Sequence, residues 1–289
     1  MKPPALPKLP VARAVWEAGV RVAAAYPGTP TTEMLEVIST YPDLYAEWSV
    51  NEKVSLEVAI GAAYAGSRSF CCMKHVGMNV ASDALMTLTL TGVIGGLVIA
   101  IADDVGLSSS QNEQDSRYWG RFAHVPVLEP ADSQEAYAMT LHAYELSEKF
   151  QVPVILRMTT RINHVKSLVT VGERGERASA GFKKDPARWV MTPTGAGKRI
   201  PLMFERDKAL RAAAEASPLN IIEPGSDRRV GIPHQLLVDR WHSVKRQHRL
   251  GFCLRQRIDD EFDIHRIPPD QTTACDGQRY YSQPGLAMA

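Results

Sequence analysis

The sequence predicts an α/β fold, a doubly wound parallel sheet with helices on both faces, followed by an irregular tail. Short apolar runs alternate with helix-like stretches through the first 165 residues, and the connections between them are short. Polar and turn-forming residues are concentrated directly after three of these runs. Strands that alternate with helices at this spacing favour parallel pairing, because the chain must cross over before the next strand can pair.

The predicted elements follow one another in a regular order. Strands are assigned from apolar runs bounded by turn residues, and helices from amphipathic or alanine-rich segments. Strands are predicted at 20–27, 44–50, 67–74, 97–104, 126–130 and 152–159. Helices are predicted at 11–18, 31–39, 52–66, 81–90 and 132–150.

One apolar segment imitates a membrane span. Residues 84–102 carry no charge and have the length of a transmembrane helix. The TGVIGG sequence divides them, however, into a helix opened by Ser82 or Asp83 and a short β-branched strand. The N-terminus also has no apolar signal-peptide region. We therefore predict a soluble, cytoplasmic protein.

Charge and cysteine content weigh against several functional classes. Lys and Arg total 33 against 32 Asp and Glu, which gives no electrostatic basis for binding nucleic acid or an anionic membrane. Cys71 and Cys72 are adjacent, while Cys253 and Cys275 are isolated, so no clustered run could hold an iron–sulfur cluster. We predict reduced thiols, the first two packed in a strand, and any such cluster on another polypeptide or segment.

The alternation of strands and helices weakens after residue 165. Residues 167–174 fit an edge strand, 186–203 a polar connector and 204–217 an exposed helix. Four parts are therefore predicted. They are a proline-rich extension at 1–10, an α/β domain at 11–165, a connector with a helix at 166–231, and an atypical, poorly ordered tail at 232–289.

Two constellations are weaker candidates for a site. Residues 195–198 (GAGK) lack the first glycine and the final Ser or Thr of a phosphate-binding loop, so a connector turn is the better interpretation. Asp103 and Asp104 follow a strand, where they could bind a cation or cap the loop, and both interpretations stay open. The histidines show no metal-ligand spacing, and no metal site is assigned.

The stronger candidate lies beyond the carboxyl ends of the predicted strands, where open α/β sheets bind ligands. Three polar loops meet there, at 26–33 (YPGTPTTE), 74–79 (KHVGMN) and 102–117. Glu52 begins the helix predicted at 52–66, which contains Gly61 and several alanines. The alternative interpretation is that the Glu52 carboxylate only interacts favourably with the helix dipole. The small residues of this helix, however, indicate close packing against another element.

The Glu52 helix resembles the pyrimidine-binding domain of thiamine-diphosphate enzymes, in which a glutamate at this spacing hydrogen-bonds N1′ of the cofactor. Six segments narrow the resemblance to the large subunit of the indolepyruvate type of 2-oxoacid:ferredoxin oxidoreductase. They are, in order, 17–33, 48–66, 73–86, 95–104, 109–117 and 128–136. The likeness is nearly continuous from Ala12 to Asp227, and six segments in order are far more specific than any one alone.

The resemblance implies a role for each matching residue. Glu52 would be catalytic, holding a proton on N1′ so that the cofactor can attack the keto carbon of an arylpyruvate, which is then oxidatively decarboxylated to an acyl-CoA. The positions implied for the cofactor are Gly28, Thr29, Lys74, His75, Gly77 and Asn79, with Thr29 facing substrate or cofactor, and those implied for the pocket rim are Gln111 and Asn112. For these loop positions, a purely structural role is the alternative.

The resemblance also implies parts that this sequence lacks. The family's large subunit continues into a swivel domain, a diphosphate-binding domain that holds Mg²⁺ through a GDG…N motif, and a segment of clustered cysteines. We expect thiamine diphosphate to need that diphosphate-binding domain or chain, with iron–sulfur clusters elsewhere. The implied partners are a small oxidoreductase subunit, ferredoxin, the 2-oxoacid and coenzyme A. Alternatives are a pyruvate or other 2-oxoacid enzyme, a binding subunit, and a truncated or frame-shifted, non-catalytic product.

Overall fold

The computed structural model describes residues 9–165 and 167–220, which are built on a six-stranded sheet. The strands are β1 (Val22–Ala25), β2 (Tyr45–Trp48), β3 (Ser69–Lys74), β4 (Leu97–Asp103), β5 (Val127–Leu128) and β6 (Val154–Thr159). They lie in the order β2-β1-β3-β4-β6-β5, and every pairing is parallel. The predicted parallel α/β sheet is confirmed.

Helices cover both faces of this sheet. They are α1 (Pro10–Glu17), α2 (Thr32–Ile38), α3 (Glu52–Tyr64), α4 (His75–Thr91), α5 (Arg117–Ala123), α6 (Ser133–Phe150), α7 (Thr160–His164), α8 (Pro186–Trp189) and α9 (Pro193–Glu215). α1, α2 and α6 pack on one face, and α3 and α4 on the other. The sheet is therefore doubly wound, as predicted.

Alternate residues of β3 point to opposite faces of the sheet and fill two separate cores. Phe70 and Cys72 pack under α1, α2 and α6, whereas Cys71 and Met73 pack under α3 and α4. Burial on both faces explains why the strand is a continuous apolar run. Burial also raises the pKa of the Cys71 thiol to about 12 and that of Cys72 well above its usual value. Both thiols are free and buried, so their predicted packing in a strand is confirmed.

The helix predicted at 81–90 begins earlier than expected, at His75, directly after β3. The loop predicted at 74–79 is instead the last residue of β3 followed by the first turn of α4, and that prediction was wrong. The glycine and asparagine of this segment suggested a turn. The structure gives Gly77 another role, because its missing side chain makes room for Glu52 of α3.

The predicted polar connector at 186–203 is also wrong, because most of it is helical. Asp185 and Thr192 cap α8 and α9 by accepting hydrogen bonds from backbone N–H groups. The GAGK residues lie in the first turns of α9 rather than in a connector turn. Arg199 and Arg206 of α9 donate to the Leu90 and Thr89 carbonyl oxygens at the carboxyl end of α4. Tertiary docking of this kind cannot be inferred from local composition.

The edge strand predicted at 167–174 does not form, apart from a single bridge at Val169. The segment instead crosses the amino edge of the sheet, where the Gly172 N–H donates to the Glu17 carboxylate at 3.0 Å. Glu17 is buried and also accepts from the Tyr137 hydroxyl. The Glu17 carboxylate, distant in sequence, therefore accepts from the Gly172 N–H, which in a strand would donate to a neighbouring strand. The short helices α5 and α7 were not predicted either.

The apolar stretch at 84–102 divides into the end of α4 and the strand β4, as predicted. Among the described residues, no helix is both long and apolar enough to cross a membrane. The tail predicted at 232–289 and the last part of the predicted connector lie outside the described residues. The domain boundaries remain predictions.

Candidate functional site

The candidate site lies at the carboxyl edge of β1, β3 and β4, which are adjacent in the sheet. The segments that follow these strands are the turn at 26–31, the first turn of α4 and the loop at 104–116. Parallel strands bring their carboxyl ends to one edge, so the three segments lie side by side. α3, which follows the edge strand β2, places Glu52 at the same edge.

The turn at 26–31 is tied together by its own hydrogen bonds. The Gly28 carbonyl oxygen accepts from the Thr31 N–H at 2.8 Å and from the Thr31 hydroxyl at 2.7 Å. The Gly28 N–H donates to the Thr32 hydroxyl oxygen at 2.9 Å, and the Thr29–Pro30 peptide is cis. Thr29 has an exposed side chain at the tip. The turn therefore leaves Thr29 accessible to a ligand at this edge of the sheet.

Glu52 is the first residue of α3, and its position follows from local capping. The Asn51 side chain accepts from the Val54 N–H at 2.9 Å, which starts the helix one residue before Glu52. The Glu52 side chain lies across Gly77 of α4, since a Cβ built at Gly77 would be 2.5 Å from Glu52 Cγ. No donor in the described parts of the chain reaches the Glu52 carboxylate, which leaves it open to a ligand that donates a hydrogen bond.

Lys74 and His75 join the start of α4 to the loop at 104–116. The Lys74 ammonium donates to the Ser109 carbonyl oxygen at 2.8 Å, and His75 Nε2 lies 3.0 Å from the Asn112 carbonyl oxygen. A carbonyl can only accept, so Nε2 carries the hydrogen in this contact. His75 Nδ1 is buried and has no hydrogen-bond partner among the described residues. It can accept from a ligand or a water molecule.

Asp104 organises the loop at 104–116. Its buried carboxylate accepts from the Ser109 N–H at 2.7 Å, the Ser110 hydroxyl at 2.6 Å and the Thr160 hydroxyl at 3.1 Å. Burial alone would raise the pKa of Asp104, but these donors, Ser110 foremost, outweigh it and lower the pKa to about 2. Asp104 therefore holds the loop as an anion.

Asp103 fixes the far end of the same loop. It accepts from the Ser116 N–H at 3.0 Å and pairs with Arg157 of β6 at 2.7 Å. Arg157 also pairs with Glu129. Asp103 and Asp104 are thus both engaged by protein donors, which is loop capping, one of the two alternatives left open by the sequence.

The remaining predicted positions lie at the periphery. Gln111, Asn112 and Asn79 are all exposed. The Asn112 side chain accepts from Gln114 at 2.9 Å, whereas no described hydrogen bond joins the Asn79 side chain to the other site residues. The structure therefore brings together Glu52 with Gly77, Lys74 with Gly28, and His75 with Asn112. No described hydrogen bond joins Thr29, Asn79 or Gln111 to these pairs. The small-residue face of α3 remains open at Gly61, where an added Cβ would meet nothing described within 4 Å.

Two contributors were missed in the sequence, Ser109 and Arg157. Arg157 gave a signal, because an arginine within an apolar strand must find buried acidic partners. The run of three serines after two aspartates was a second signal, since such side chains commonly close a loop by hydrogen bonds. Neither signal shows which loop atom would reach Lys74.

Comparison with known proteins identifies the class of this α/β domain. Residues 13–207 match the family described as pyruvate flavodoxin/ferredoxin oxidoreductase, thiamine diphosphate-binding. The chain belongs to that family. It is homologous to indolepyruvate oxidoreductase subunit IorA, with 48% identity over 225 residues to the protein of Methanothermobacter thermautotrophicus and 46% over 231 residues to that of Thermococcus kodakarensis.

These matches cover 76% and 77% of this chain but 36% of each relative, so the chain spans about a third of their length. A more distant relative is 2-oxoglutarate synthase subunit KorA of M. thermautotrophicus, 26% identical over 214 residues, which are 66% of this chain and 56% of KorA. The fold also matches a 2-oxoglutarate:ferredoxin oxidoreductase from Magnetococcus marinus with a TM-score of 0.58 and 18% identity, over 78% of this chain and 46% of that chain.

Gly77→Ala and Gly61→Ala form a matched pair, because both glycines lie within helices. We expect Gly77→Ala to lower the free energy of unfolding by about 1–3 kcal/mol, since the new methyl group displaces the Glu52 side chain. Gly61→Ala should instead raise it by up to about 1 kcal/mol through helix propensity. Urea unfolding followed by circular dichroism measures both. Changes of the same sign would contradict the close approach of Glu52.

Asp104→Asn should destabilise the chain at neutral pH by about 1–3 kcal/mol, because the N–H and hydroxyl donors around this buried carboxylate lose a charged acceptor. The folded-state pKa of about 2 lies below the ordinary value of 3.8, so the anion's contribution to the free energy of unfolding is complete above about pH 5. It is lost as the pH falls towards 2, and the difference between wild type and variant should shrink there. Asp83→Asn, which removes an exposed carboxylate paired with Lys53, serves as the control with little effect. A pH-independent difference would contradict this role.

Proposed function

We propose that this chain supplies the pyrimidine-binding half of a thiamine-diphosphate site in a 2-oxoacid:ferredoxin oxidoreductase that acts on indolepyruvate or a related arylpyruvate. The observation that carries the proposal is the Glu52 carboxylate, which lies against Gly77 and meets no described donor. When bound, thiamine diphosphate supplies a nucleophilic carbon and an electron sink for oxidative decarboxylation to an acyl-CoA.

The residues present fit that cofactor. An ionised carboxylate at the start of α3 can accept a hydrogen bond from a protonated ring nitrogen and keep the proton there. Gly77 and Gly28 lack side chains that would fill the space next to Glu52 and Lys74. In the proposal, His75 and Asn79 line the cofactor side, and Thr29 faces the reacting groups. Gln111 and Asn112 form the rim.

The choice of substrate is supported by the relatives. Two proteins more than 45% identical over about three quarters of this chain are named indolepyruvate oxidoreductase subunits, whereas the 2-oxoglutarate synthase subunit is 26% identical. A related 2-oxoacid such as pyruvate or 2-oxoisovalerate is the alternative. A viologen-linked assay over several oxoacids distinguishes them, with the lowest KM expected for indolepyruvate.

Other parts of the enzyme belong to the proposal as partners. The matched relatives extend well beyond the region they share with this chain. A diphosphate-binding domain or chain would hold Mg²⁺ and the cofactor's diphosphate, and a small oxidoreductase subunit, iron–sulfur clusters, ferredoxin and coenzyme A would complete the reaction. We therefore expect weak cofactor binding and no turnover by this chain alone. Micromolar affinity of the isolated chain in calorimetry would contradict this expectation.

Glu52→Gln tests the proposal in the chain combined with a diphosphate-binding partner. The neutral amide keeps the size of the side chain but not its charge, so turnover should fall by about 10²- to 10⁴-fold and cofactor affinity should also fall. The control is Glu57→Gln, an exposed carboxylate on the same helix that should leave both unchanged. Calorimetric cofactor binding is measured beside activity, and an unchanged affinity together with unchanged turnover would refute the assignment.

A further inference from the structure

The position of Lys74 is fixed by contacts on two sides. Its aliphatic stem lies along Gly28, since a Cβ built there would be 3.3 Å from Lys74 Cβ and 3.9 Å from Cδ. Its ammonium reaches the Ser109 carbonyl oxygen at 2.8 Å. The charge therefore lies between the turn at 26–31 and the loop at 104–116. Gly77, which Glu52 contacts, lies in the first turn of α4, the helix that begins directly after Lys74.

Other cations near this edge of the sheet are neutralised by carboxylates. Arg157 pairs with Asp103, Arg117 with Asp115, and Lys53 with Asp83. Lys74, in contrast, has no carboxylate partner within the described parts of the chain, and its one described hydrogen bond goes to a neutral carbonyl.

The ammonium of Lys74 has capacity for a further acceptor. An ammonium carries three hydrogens, and the Ser109 carbonyl uses one of them. The carboxylate of the same loop, Asp104, is already filled by loop and Thr160 donors. A half-buried cation with two unused donors and no counter-ion attracts an anionic group from a ligand.

We propose that Lys74 binds the carboxylate of the 2-oxoacid substrate, in place of the cofactor contact that the family resemblance implies for this residue. This inference rests on the proposed function and specifies which residue recognises the acid group. A single point charge with two remaining donors suits one carboxylate, whereas a diphosphate carries more charge than one ammonium can balance. Thr29, which is exposed and next to Gly28, lies on the same turn that contacts the Lys74 stem.

The test uses the full chain and two probes of the same shape, 3-phenylpropionate and the neutral 3-phenylpropionamide. Binding is measured by ligand-observed NMR titration in wild type, Lys74→Met, Lys74→Arg and the control Lys53→Met. We expect wild type to prefer the carboxylate by about tenfold or more, a value typical of a charge-assisted hydrogen bond. Lys74→Met should lose the preference, Lys74→Arg should retain part of it, and Lys53→Met should keep it.

Several results would overturn the assignment. One is equal or absent binding of the two probes to wild type, and another is an unchanged preference in Lys74→Met at an unchanged melting temperature. Inorganic pyrophosphate provides a third arm. If it binds more tightly than 3-phenylpropionate and the same variant abolishes that binding, Lys74 recognises a phosphate instead. The probes need no cofactor, so this outcome is independent of the Glu52→Gln result that tests the proposed function.

Discussion

The close approach of α3 and α4 at Gly77 is the constraint on which the candidate site depends. Any side chain there would occupy the space of Glu52, whose Cγ and Oε1 lie 2.5 and 2.7 Å from the position of a Cβ. The glycine therefore sets where the carboxylate can lie, and the Asn51 cap sets the helix end from which it projects. A carboxylate held by packing rather than by hydrogen bonds keeps its acceptor capacity for a ligand.

The loop at 104–116 is the second part of the candidate site, and buried charged groups hold it in place. Asp104 gathers the loop at 104–116 onto its carboxylate, while Asp103 and Arg157 hold the far end of the loop to β6. Lys74 and His75 then tie the loop to α4. Surface loops are usually more mobile than the strands they connect. The hydrogen bonds of this loop therefore fix positions that the sheet alone would leave variable.

Most of the fold could be predicted from the sequence, because parallel strands and their helices have strong local signatures. The apolar runs of β3, β4 and β6 and the capped helix α6 were predicted within a few residues. The errors fall where a distant partner decides the local structure. Gly77 suggested a loop because the sequence alone does not show its contact with Glu52. The helix α9 was missed in part because its arginines bind the carbonyl groups at the end of α4, a contact between distant residues. For the candidate site, the sequence predicted that the three polar segments meet at the carboxyl edge of the sheet, but not that the Ser109 carbonyl oxygen would accept from Lys74.

The adjacent thiols of β3 have a practical consequence. Cys71 and Cys72 are fully enclosed in a central strand, yet they face opposite helical layers. Neither can react with an alkylating reagent until the layer above it detaches, so the labelling rate of each records the opening of one layer. Comparing the two rates by mass spectrometry would show whether the layer of α1, α2 and α6 or that of α3 and α4 separates first. Two adjacent thiols thus report separately on the two helical layers that cover the sheet.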